Sequence, residues 1–72
     1  MKTWDWVLIN QATSGAILRS RIKSRSLGDG WDKFGQEIST KVGKYKISKI
    51  LAGIGWEIEI GGISYLVTAY FQ

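Results

Sequence analysis

At 72 residues the chain reads as one domain, 1–72, because domains run to about 50–250 residues, and a two-domain enzyme is excluded. It contains no Cys and no His, which rules out disulfides, thiol nucleophiles, imidazole bases and zinc held by thiolate or imidazole. Ten Lys and Arg against six Asp and Glu give a formal charge of +4, a balance that favours an acidic partner such as nucleic acid or an acidic protein. The 44% apolar content, with four Trp, three Tyr and two Phe, marks a chain that packs rather than a solvated tail.

Met1-Lys2-Thr3-Trp4-Asp5 offers neither a long apolar core nor a small-residue cleavage site, and no run approaches the length of a membrane span, so a cytoplasmic protein without membrane association is expected. Thr3 to Ile9 alternates, with Trp4, Trp6 and Leu8 on one face and Val7 and Ile9 on the other, and predicts a strand. Asn10-Gln11-Ala12-Thr13-Ser14-Gly15 is turn chemistry, Ala16 to Arg25 predicts the returning strand, and Ser26-Leu27-Gly28-Asp29-Gly30 a loop.

Trp31 to Val42 fits two periods. Trp31, Phe34, Ile38, Val42 and Tyr45 recur at helical spacing, while Phe34, Gln36, Ile38, Thr40 and Val42 alternate as in a strand. The interior Gly35 and the β-branched Ile38, Thr40 and Val42 favour a strand on propensity. Lys44 to Leu51 predicts another strand, reached through a turn at Gly43 and left through Gly53 and Gly55. Trp56 to Ile60, then Gly61-Gly62, then Ile63 to Phe71 is a hairpin, because two glycines supply the positive φ that a type I′ turn needs at both central positions. The last strand is apolar on both faces, as is the first. That pattern asks for a cover on each side, and a second subunit through Tyr65, Leu66, Val67, Tyr70 and Phe71 supplies one.

No catalytic constellation emerges. Glu57 and Glu59 share a strand face without a nucleophilic or electrophilic partner, so a solvated strand side is the simpler reading and a non-enzyme is expected. Asp29-Gly30-Trp31-Asp32 lacks the ligand spacing and closing Glu of a calcium loop, and neither cofactor nor metal is expected.

The basic residues carry the strongest signal. On a strand, Arg19, Arg21, Lys23 and Arg25 all project from one face about 6.6 Å apart. Four like charges in line repel unless an anion lies along them, so a phosphate backbone is the natural counterpart. A basic edge strand that blocks aggregation is the plainer use of the same residues. Lys41, Lys44, Lys46 and Lys49 form a second cluster near Gly43, with Lys44 and Lys46 on one strand face. Trp31 and Phe34, between the clusters, are candidates for stacking on unpaired bases, with core packing as the alternative for both.

Asp5-Trp6-Val7-Leu8-Ile9 followed by Gly15, Lys33-Phe34 with Gly43 nine residues after the Phe, and Ile58-Glu59-Ile60-Gly61-Gly62-Ile63-Ser64-Tyr65-Leu66-Val67-Thr68 resemble the trp RNA-binding attenuation protein (TRAP) family over most of the chain, with an extra stretch between Arg21 and Trp31. The resemblance implies an antiparallel β-sandwich subunit joined edge to edge into a ring that binds single-stranded RNA, with Phe34 on the family's stacking aromatic. The family's RNA-contacting Lys and Arg fall on Glu59 and Gly61, its following lysine on Ser39, and its ligand-binding Gln and Thr near Lys49 and Leu51. Together these readings predict an all-β fold, a small antiparallel β-sandwich in a homo-oligomeric ring, that binds single-stranded nucleic acid, RNA favoured, in a regulatory role. The alternative is a small protein-interaction or inhibitor module, of the kind mobile elements encode, that docks its basic face on an acidic protein.

Overall fold

The computed structural model describes residues 1–51 and 55–71. Among them the elements run β1 (Lys2–Asn10), β2 (Ala16–Ser24), α1 (Leu27–Lys41), β3 (Lys46–Leu51), β4 (Gly55–Ile60) and β5 (Ile63–Phe71). The strands form one sheet in the order β2-β1-β5-β4-β3, antiparallel at every pairing. The expected antiparallel framework is therefore present, with β2 and β3 as its two open edges.

Local chemistry sets the two tight hairpins. The Asn10 side-chain oxygen accepts from the Ala12 N–H at 2.9 Å, and the Asn10 N–H donates to the Gly15 carbonyl at 2.9 Å, which closes the β1–β2 turn. Gly61 and Gly62 have φ of +58° and +82° and join Ile60 to its partner Ile63, as a type I′ turn requires. Gly55 opens β4 instead of ending a loop, and Gly53 lies outside the described residues.

The second layer is a helix, not a second sheet. Residues expected as a strand (31–42) and as a loop (Ser26–Gly30) together form α1 and its start. Ser26, in extended backbone, accepts from the Asp29 N–H through its hydroxyl at 3.2 Å, and Lys41 sits in the last turn, so both ends are suited to a helix. Gly35, which argued against a helix, and Gly30, expected in a loop, are contact points. A Cβ on Gly30 would stand 2.8 Å from the Trp6 ring and 3.0 Å from the Ser24 hydroxyl, and one on Gly35 would stand 2.5 Å from the Tyr45 hydroxyl. Each interior glycine costs about 0.8–1.0 kcal/mol of helix propensity. Burying Phe34 and Ile38 completely returns about 1.5–3 kcal/mol apiece, so packing outweighs propensity.

Trp6 centres the core, 5.6 Å from Phe34, 5.5 Å from Trp56 and 6.2 Å from Trp31 between ring centroids. Leu8, Ile22, Ile58, Tyr65, Val67 and Ala69 complete it beneath α1. Much of the cover that the two-faced strands asked for thus comes from the chain itself. Tyr65 and Val67 are core residues, which corrects their expected place in a subunit interface. Leu66 and Tyr70 point to the opposite, open face, and Phe71 is an exposed residue packed on Trp4.

Candidate nucleic-acid interface

The even positions of β2 are tied to the helix. Ile22 and Ser24 are buried, the Ser20 hydroxyl donates to Glu37 Oε2 at 2.7 Å, and Lys33 Nζ donates to the Lys23 carbonyl at 3.1 Å. Because side chains alternate along a strand, this anchoring turns Arg19, Arg21 and Lys23 onto the open face, where all three are exposed. Arg19 lies opposite Val7, Arg21 opposite Asp5 and Lys23 opposite Thr3. Three of the four ladder residues therefore align as expected. Arg25 stands beyond the end of β2, exposed, with its N–H donating to Asp29 Oδ2 at 3.4 Å.

Neutralisation along this edge is partial. Arg21 Nε pairs with Asp5 Oδ1 at 3.1 Å in an exposed ion pair, while Arg19, Lys23 and Arg25 have no carboxylate within 4.0 Å among the described residues. Beside the ladder runs an open groove of about 590 Å³ with Val7 and Ile9 on its floor, Arg19 and Arg21 on one side and Tyr70 on the other. Tyr70 is 52% exposed and continues the row Arg21, Asp5, Tyr70 across three strands, about 10 Å from the Arg21 strand at two inter-strand spacings.

The second basic cluster is divided by the sheet. Lys41 belongs to α1 and pairs with Glu37 at 3.3 Å, and Lys44 lies in the connection before β3, not on a shared strand face with Lys46. Lys46 and Lys49 are on the open face of β3 opposite Glu59 and Glu57, about 19 Å from β2 at four strand spacings. Of the two candidate stacking aromatics, Phe34 is corrected. Phe34 is fully buried, so the residue aligned with the TRAP family's stacking aromatic cannot meet a base. Trp31 is half-buried, with one ring face stacked on Trp56 at 4.8 Å and 5° and Tyr45 against its edge.

Sequence reasoning missed Tyr70 as a surface aromatic, although strand alternation places it and Leu66 on the face opposite Tyr65 and Val67. Comparison with protein-family models, curated proteins and solved structures returned no match to this chain. No helix among the described residues is long and apolar enough to cross a membrane.

Proposed function

We propose that the protein binds single-stranded nucleic acid, RNA favoured, on the open face of the sheet along β2, without catalysing a reaction on it. The observation that carries this reading is the row Arg19, Arg21 and Lys23 on one face of an edge strand with a single carboxylate in contact with it, flanked by an open groove of mixed polar and apolar lining and by an exposed tyrosine. Cations at every second residue suit an extended phosphate backbone, and Arg can hold a phosphate through two donors. A base turned inward from that backbone would cross Val7 and Ile9 and reach the Tyr70 ring. Unpaired bases have free π-faces and paired ones do not, so a single strand fits this arrangement better than a duplex. Arg25 extends the cationic line past the end of β2. Lys41, Lys44 and Lys46 act at a distance through the overall field.

Fluorescence anisotropy with labelled single-stranded RNA of unrelated sequences, titrated over a range of salt, tests the proposal. Arg19→Ala and Lys23→Ala should each weaken binding and flatten the slope of log affinity against log salt by about 0.7. Tyr70→Ala should cost about 1–3 kcal/mol per stacked base with the salt slope nearly unchanged. Wild-type binding no tighter than that of a variant with Arg19, Arg21, Lys23 and Arg25 all changed to Ala would overturn the reading and leave docking on an acidic protein as the use of this face.

A further inference from the structure

The opposite edge of the sheet is built differently. On β3, cross-strand partners fix the side of each residue: Ile47 pairs with Ile58 and Ile50 with Trp56 on the helix side, while Lys46 pairs with Glu59, Lys49 with Glu57 and Leu51 with Gly55 on the open side. The irregularity between Ile47 and Lys49 brings two isoleucines three residues apart to the same side. The helix does not cover them. Ile47 is 43% and Ile50 73% exposed, beside an outer backbone edge that pairs with no strand among the described residues. Each lysine of β3, meanwhile, already faces a glutamate.

We propose that β3 pairs with β3 of a second copy, antiparallel about a two-fold axis between Ser48 and Lys49, joining two sheets into one of ten strands. One register suits every β3 side chain whose face the pairing with β4 fixes. It sets Ile47 against the partner's Ile50, Lys46 against the partner's Leu51 and Ser48 against the partner's Lys49, so isoleucine meets isoleucine on the helix side and no lysine faces a lysine. A shift of one residue opposes side chains that point to opposite faces of the sheet. A shift of two, with Lys46 against the partner's Lys49, places like charges directly across from each other. The pairing satisfies the free backbone groups of both edges, buries four isoleucines and closes on itself, since an isologous contact uses the same surface twice. It leaves both β2 edges free at the ends of the joined sheet and goes beyond the nucleic-acid reading, on which it does not depend.

Sedimentation of the wild-type protein at high micromolar concentration should give a species of twice the 8.1 kDa chain mass. Ile50→Lys, at a position exposed in the single chain, should give a monomer with an unchanged far-UV circular dichroism spectrum, because two added cations would then face the partner. The chain has no native cysteine, so engineered ones report the register without ambiguity. The double variant Ile47→Cys with Ile50→Cys should form covalent dimers on oxidation, whereas Ile50→Cys alone should not, because its opposite residue is Ile47. A wild-type monomer, a dimer that Ile50→Lys leaves intact, an open series of larger species, or cross-linking by Ile50→Cys alone would each overturn the proposal.

Discussion

The two open edges of one sheet solve the same physical problem in opposite ways. An unpaired strand edge is a template for further pairing. β2 is anchored from behind by α1 through Ile22, Ser24 and the Ser20–Glu37 hydrogen bond, and it presents a row of cations with one carboxylate in contact. β3 has almost no packing of its own, with every residue but Leu51 exposed, and its lysines stand opposite glutamates. Charge left unbalanced keeps other strands away and holds a surface open for an anion. Lysines set opposite glutamates across the ladder, without an ion pair within 4.0 Å among the described residues and beside exposed isoleucines, guard the β3 edge less.

The largest expected effect comes from removing what holds β2 in place. Phe34→Ala should destabilise the fold by about 3–5 kcal/mol, read from urea denaturation, because the ring is fully buried between α1 and Trp6. Oligonucleotide binding should fall only in proportion to the unfolded fraction. Full stability with selective loss of binding would show that Phe34 meets the ligand after all.

The same substitution at the two edges gives the most direct contrast. Ile22→Ala on β2, where the side chain is 8% exposed, should cost about 2–5 kcal/mol. Ile50→Ala on β3, 73% exposed, should change the stability of the single chain by no more than about 0.5 kcal/mol. Equal costs at low protein concentration would mean that β3 is packed as tightly as β2 and would remove the distinction.

Why one edge was readable from sequence and the other was not follows from where the information sits. Arg19, Arg21 and Lys23 alternate on a strand whose turn residues, Asn10 and Gly15, are local signals, so their shared face needs no tertiary knowledge. Gly61-Gly62 is equally local. The helix was hidden because its glycines are tertiary features. Gly30 and Gly35 make room for Trp6 and Tyr45, which are distant in sequence or beyond the helix end, and propensity alone reads them as breakers. Ser26 followed by Asp29 was a usable N-terminal signal, and Trp31, Phe34 and Ile38 already had the right spacing. With the helix misread, Phe34 and Trp31 were offered to solvent, and Tyr65 and Val67 to a second subunit. β3 itself was legible as a strand, but the irregular residue at Ser48 hid the shared face of Ile47 and Ile50, which strict alternation separates.

The contrast also depends on a fixed register between β4 and β5, which in turn holds Glu57 and Glu59 opposite the β3 lysines. Gly61→Ala should cost about 1–2 kcal/mol, because a Cβ there meets no atom within 4 Å and the penalty is confined to the left-handed backbone at φ +58°. An unchanged urea midpoint would place the turn in another conformation and undo the assignment of faces along β4.

The smallest effect on stability should carry information on binding. Asp5→Asn removes the carboxylate that contacts Arg21 at 3.1 Å. Both groups are partly open to solvent, with side-chain exposures of 69% for Arg21 and 34% for Asp5, so loss of the ion pair should cost only about 0.2–1 kcal/mol. The same change releases the Arg21 guanidinium toward the open face and removes a negative charge from the row that leads to Tyr70. If β2 tracks a phosphate backbone, affinity for single-stranded RNA should rise, and the slope of log affinity against log salt should steepen by about 0.7 as one more cation engages a phosphate. Measured beside Glu57→Gln, the experiment compares the two edges within one assay. Removing a carboxylate at the β3 edge, about 14 Å or more from β2 at three strand spacings, should leave that slope unchanged. Equal steepening from the two variants would mean that the ligand senses total charge alone and that β2 holds no special place in binding it.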